Sequence, residues 1–70
     1  MALADDIRMV QRHVELGKRH LSRQHHIVQQ FSSDGLPTDD AIDLLHLFED
    51  MQALHRVHLS RLLRKAVDSN

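Results

Sequence analysis

Residues 3–31 read LADDIRMVQRHVELGKRHLSRQHHIVQQF, and this stretch decides the fold because its apolar positions recur in steps of four and three. Such heptad spacing is typical of one long helix whose seam packs against another helix. Asp5 and Asp6 near its start suit the positive end of the helix dipole, so the sequence predicts a helix here. The seam positions are Leu3, Ile7, Val10, Val14, Gly17, Leu21, Gln24, Val28 and Phe31.

A turn and a second helix follow this stretch. Asp34-Gly35 is a strong turn dipeptide, and glycine readily takes the left-handed conformation that ends a helix. Pro37 stops the first helix from continuing, and Thr38 is a good N-cap for the next one. The predicted boundaries are helix 1 at about 3–32, the turn at 33–38 and helix 2 at about 39–67.

Each helix carries more apolar surface than one neighbouring helix can cover. Helix 1 has a second line beside its seam, from Met9 through Leu16 to Ile27, and helix 2 is similarly wide. A domain of 70 residues also buries little surface by itself. We therefore predict an all-α fold, an antiparallel helical hairpin over residues 1–70, that dimerises into a four-helix bundle. The expected core residues are Val10, Val14, Gly17, Leu21, Val28, Phe31, Leu45, Phe48, Met51, Leu59 and Leu62.

Composition argues against several classes of protein. The chain has no cysteine, which excludes disulfides and thiolate metal sites and fits a reducing compartment. No signal peptide is visible, and no apolar run approaches the roughly 18 residues of a membrane span. No Gly-x-Ser-x-Gly elbow or other catalytic motif is present. We expect a cytoplasmic protein that is not an enzyme and needs no cofactor.

Charge is unevenly distributed along a chain whose net charge is only −1. Residues 39–50 hold five carboxylates and no Lys or Arg, whereas residues 51–67 hold four basic residues and no carboxylate. In a hairpin, the turn end is then acidic and the opposite end mostly basic. This layout favours charged surfaces that bind a protein partner over a general attraction to nucleic acid.

Three seam residues are unusual for a helical interface. Gly17 in mid-helix costs about 1 kcal/mol relative to alanine, so we expect a close helix crossing or a bulky residue opposite it. In a hairpin that turns near Gly35, Gln52 lies level with Gly17. Gln24 and Gln52 are polar seam residues, which commonly fix the register of packed helices.

Four arginines on or near the outer face of helix 1, Arg8, Arg12, Arg19 and Arg23, are the predicted binding residues. A protein partner is the leading interpretation. Heptads, one short turn and a dimeric bundle resemble the Rop family of plasmid RNA-binding proteins in architecture, although no functional residue matches. That resemblance implies nucleic-acid binding through the same arginines as an alternative. The apolar face and basic flanks of helix 1 also permit contact with a membrane surface, a partner that we do not expect.

Seven histidines offer a further alternative. The hairpin brings His13 close in level to His55 and His58, and the last two share a helix face at a spacing of three. Three imidazoles could hold Zn²⁺ or another divalent metal, or the cluster could bind a small ligand. Histidines at the edge of the apolar face, or an assembly that dissociates when they become charged, are the other interpretations.

A second resemblance covers most of the chain. The sequence is similar to small, uncharacterised bacterial two-helix proteins of about this length. The resemblance implies an α-helical hairpin and no particular activity, because its motifs mainly describe packing. It is carried by His13, Gly17, His20 and Arg23, and by Thr38, Ala41, Leu44-Leu45, Phe48-Glu49, His55-Arg56 and His58-Leu59.

Overall fold

The computed structural model describes residues 2–68, which form two α-helices joined by a short turn. Helix α1 spans Ala2–Ser33 and helix α2 spans Asp39–Asp68, so every helix end lies within one residue of its predicted position. The helices pack along each other in a rod of 55 × 14 × 13 Å. The predicted all-α helical hairpin is confirmed for these residues.

The turn forms for the reasons that its sequence indicates. Gly35 has a φ of 73°, a left-handed conformation that strains any residue with a side chain. Its N–H donates to the Ser32 carbonyl at 3.2 Å, and the Leu36 N–H donates to the Phe31 carbonyl at 2.9 Å. This pair of bonds is a Schellman motif, which satisfies carbonyls at the end of α1. The Thr38 carbonyl accepts the first backbone bond of α2, at 2.9 Å, as an N-cap residue does.

The interior of the hairpin is a single seam between the two helices. Every predicted seam position from Leu3 to Val28 is buried or half-buried, and so are the α2 positions at the same spacing from Ala41 to Ala66. The buried residues are Val10, Val14 and Gln24 of α1 and Ala41, Leu45, Gln52 and Leu62 of α2. The half-buried residues of the predicted core are Gly17, Leu21, Val28, Phe48 and Leu59.

Two predicted core residues, Phe31 and Met51, are surface residues of the single hairpin, with 37% and 45% exposure. The hydrogen bond from Gln24 to Ala41 places Gln24 level with the start of α2. Phe31 lies two turns further along α1 and is therefore level with the turn, where α2 has no residue to cover it. Met51 directly precedes the buried Gln52, and one residue rotates a side chain by about 100° around a helix. Met51 therefore points out of the seam.

Two buried amides cross the seam. Gln24 Nε2 donates to the Ala41 carbonyl at 2.8 Å, and Gln52 Nε2 donates to the Val14 carbonyl at 2.9 Å. Each helix thus contributes one side chain that bonds to the backbone of the other. Sliding one helix along the other would leave both buried donors without these acceptors, so the two bonds favour a single register.

Candidate functional site

A broad apolar surface remains on one side of the hairpin after the helices have packed. A groove of about 220 Å³ runs between the helices there. The lining residues are His13, Leu16, Gly17 and His20 of α1 and Phe48, Met51, Gln52 and His55 of α2. A second depression, lined in part by Ile27 and Leu44, shares His20 and Phe48 with the groove and therefore continues it towards the turn.

The apolar side chains on this side are more exposed than those of the seam. Leu16, Leu44 and Met51 are between 41% and 45% exposed, and Leu54 is 69% exposed. Met9 lies two turns before Leu16 on α1. On α2, Leu47 follows Leu44 by three residues and Leu54 follows Met51 by three residues. Residues at these spacings share one face of a helix, so all of them lie on this side. We name this surface the groove face. It comprises Met9, Leu16 and Ile27 of α1 with Leu44, Leu47, Met51 and Leu54 of α2.

Gly17 and Gln52 lie together beneath the groove, as their predicted level requires. A methyl group at Gly17 would overlap the Gln52 side chain, with Cδ at 2.7 Å and Nε2 at 3.2 Å from it and Oε1 closer still. The glycine therefore provides the space that the glutamine amide fills. Gln52 is only 4% exposed, and its Oε1 has no hydrogen-bond partner among the described residues. The helices pack closely here at the cost of an unsatisfied oxygen.

Each histidine that lines the groove packs against another aromatic ring, and the histidines do not converge on a single point. The rings of His13 and His55 lie 5.3 Å apart between centroids, and those of His20 and Phe48 lie 5.8 Å apart. His58, the third predicted metal ligand, is exposed. Within residues 2–68, no group of three or more His, Asp or Glu side chains is arranged to hold a metal ion. The structure thus brings two of the three predicted ligands together without forming a metal site.

The four predicted binding arginines are all exposed on α1. Their spacing of four, seven and four residues places them in one row along the helix. Arg8, Arg12 and Arg19 lie on the side away from α2, and Arg23 lies at the edge of the depression that continues the groove. Arg8 pairs with Asp5 at 3.2 Å. Arg12, Arg19 and Arg23 form no hydrogen bond or ion pair with any part of the chain that the structure describes. We call Arg8, Arg12, Arg19 and Arg23 the arginine row.

Comparison with protein-family models, with curated proteins and with solved structures gave no match. Neither α1 nor α2 is long and apolar enough, within the described residues, to cross a membrane. The geometry of the groove face and of the arginine row therefore carries the functional argument.

Sequence reasoning placed the arginines on or near the outer face of helix 1, paired Gly17 with Gln52 and predicted a wide apolar face, but it did not locate the groove. On α2 the signal that could have located it is the spacing of seven residues from Leu44 to Met51 and from Leu47 to Leu54.

Proposed function

We propose that this chain is a small, non-enzymatic interaction protein of the cytoplasm that acts as a homodimer and binds a protein partner. Two hairpins pack groove face to groove face in a four-helix bundle, and the arginine rows on the outside bind the partner. The observation that carries the proposal is the groove face, an apolar surface that the single chain leaves uncovered. Surfaces of this kind on small domains are typical of protein interfaces.

The size of the face suits a dimer. One whole side of the rod, 55 by 14 Å, has an area of roughly 770 Å², and the groove face forms its central part. A standard interface buries about 800 Å² on each partner. Full burial of one leucine or methionine side chain contributes about 1.5–3 kcal/mol. Seven partly exposed residues on each copy can therefore offset an association cost of about 4–15 kcal/mol.

The arginine row is the expected contact for an acidic surface on the partner protein. Three of its guanidinium groups have no partner within residues 2–68, so binding need not break an existing ion pair. Guanidinium groups form bidentate bonds with carboxylates, and arginine is enriched among the residues that dominate interface energies.

Molar mass by light scattering after size exclusion tests the dimer. The native chain is expected at twice its 8.1 kDa, and Leu16→Glu or Met51→Glu is expected to give 8.1 kDa, because a carboxylate would be buried in the interface. Val57→Glu is the matched control, since Val57 is also an exposed apolar residue but lies away from the groove face. A native monomer, or a dimer that survives both groove substitutions, would contradict the proposal.

The partner contact has its own test, in which the native chain and an Arg12→Gln/Arg19→Gln variant are compared as bait in pull-downs from bacterial lysate. A specific protein retained by the native chain and lost by the variant is expected. His25→Gln/His26→Gln, exposed on the same helix, is the control. Equal capture by all three chains would show that the arginines are not the binding residues.

Nucleic-acid binding is a second candidate because the unpaired arginines form a row. From Arg8 to Arg23 the row is about 22 Å long at ~1.5 Å per residue, which spans several phosphates of a nucleic-acid strand. Binding of a structured RNA that weakens steeply between 50 and 200 mM salt would support this candidate. No binding at 50 mM salt would exclude it.

A further inference from the structure

The two ends of the hairpin carry opposite charge. Residues 24–50, which include the turn, contain six carboxylates and neither Lys nor Arg. The rest of the chain contains all nine Lys and Arg residues and four carboxylates. Because α1 and α2 pack antiparallel, the first group forms the turn end, about a third of the length of the rod, and the second group forms the rest. The hairpin is therefore acidic at its turn end and basic at its open end.

Two copies can bring their groove faces together in two symmetric ways. In the first, the turns lie at the same end, and α1 of one copy covers α2 of the other. In the second, the turns lie at opposite ends, and each helix covers its own counterpart in an antiparallel sense. The first places twelve carboxylates at one end of the bundle. The second places the acidic turn end of each copy over the basic open end of the other, where opposite charges attract.

We propose that the homodimer has the second arrangement, with the turn of each hairpin over the open end of its partner. This inference rests on the proposed dimer and specifies its orientation. A second copy is the occupant of the groove face because its charges complement those of the first and because its face has the same length.

The spacing of the groove face supports one register for α1 on its counterpart. If Leu16 lies opposite the partner's His20, then Met9 lies opposite the partner's Ile27. Apolar groups thus meet at both ends of the contact. His13 then lies opposite the partner's Arg23, at the edge of the interface, where the imidazole ring can stack on the guanidinium plane.

The same symmetry axis relates the two α2 helices, and their residues also match. The hydrogen bonds and ring contacts between α1 and α2 join residues whose numbers sum to 65–68, so the point midway between Leu16 and His20 is level with about residue 49 of α2. At that level, Leu44 lies opposite the partner's Leu54, and Leu47 lies opposite the partner's Met51. Each of these side chains is at least 41% exposed in the single hairpin, so each becomes more buried in the dimer.

The orientation determines where the partner protein binds. With α1 on the partner's α1, both arginine rows lie on the same side of the bundle, so that one surface presents the guanidinium groups of Arg8, Arg12 and Arg19 from both copies, six in all. With the turns at the same end, the rows would lie on opposite sides. The inferred dimer therefore has one continuous basic surface, suited to an extended acidic segment of a partner protein.

Distances between spin labels distinguish the two orientations. The chain has no cysteine, so a single Ser33→Cys substitution labels each copy once, next to the turn. Ser33 is exposed and is about fifteen residues from the middle of α1, so opposed turns separate the labels by roughly 45 Å at ~1.5 Å per residue. Turns at the same end separate them by roughly 20–30 Å, about two helix diameters.

Ser22→Cys is the control, because it is exposed near the middle of α1 and gives a short distance in either orientation. A long Ser33 distance with a short Ser22 distance supports the inference. Short distances at both positions would overturn the orientation and leave the dimer intact. Absence of any dipolar signal at both positions would overturn the dimer itself, and with it the proposed function.

Discussion

Gly17→Ala should destabilise the protein, although alanine is the better helix former. In an exposed helix interior this change contributes about 1 kcal/mol of stability. Here the new methyl group would occupy the space of the Gln52 amide. Overpacking of a core costs about 1–3 kcal/mol, and loss of the Gln52 bond to Val14 adds roughly 1 kcal/mol. The net effect is a loss of about 2 kcal/mol, or a Tm lower by roughly 10 °C for a domain of this size.

The Gln52→Ala background provides the decisive comparison. Without the glutamine amide no other atom lies within 3.2 Å of the methyl group at position 17, so Gly17→Ala should now raise Tm through helix propensity. The double-mutant cycle then isolates the contact between these two positions. Thermal and urea unfolding followed by circular dichroism at 222 nm measure all four chains, at one fixed protein concentration because dimerisation shifts Tm. An increase in Tm from Gly17→Ala in both backgrounds would refute the packing of Gln52 on Gly17.

Four further substitutions, at three positions, test the turn, the second amide and the arginine row by urea unfolding. Gly35→Ala should cost about 1–2 kcal/mol from its positive φ alone, because nothing lies within 4 Å of a methyl group there, and Gly35→Asn should cost less. An equal cost for both would contradict this reasoning. Gln24→Ala should cost about 1 kcal/mol through loss of the bond to the Ala41 carbonyl, and an unchanged midpoint would count against that bond. Arg12→Gln should change stability by less than about 0.5 kcal/mol, since this arginine has no partner in the described residues; a larger change would reveal a structural role.

The sequence predicted the hairpin well because its helix signals agree with one another. The heptad spacing, the Asp34-Gly35 turn and the Thr38 N-cap all indicate the same two helices. The crossing at Gly17 was also predictable, since only a glycine in the seam leaves room for a bulky side chain opposite it. Local spacing is sufficient for these features because each depends on a few neighbouring residues or on one antiparallel register.

Side-chain exposure and the histidine arrangement were harder to predict. Phe31 continues the heptad of α1, but α2 begins too late in the rod to cover it, and a pattern within one helix does not contain that information. The register of the two helices determines which histidines come together. The ring of His13 packs against that of His55, while His58 lies one turn further along α2 and is exposed. A difference of three residues in level was enough to separate the predicted metal ligands.

The two amide bonds across the seam also suggest an order of assembly. The Gln24 bond joins residues 17 apart in the chain and the Gln52 bond joins residues 38 apart, so closing the shorter loop costs about 0.7 kcal/mol less entropy. The helices should therefore zip together from the turn outward and fray from the open end inward. The turn end and the open end of one rod with the same secondary structure would then differ in lifetime, and backbone amides near Leu62 should exchange with deuterium before those near Leu45.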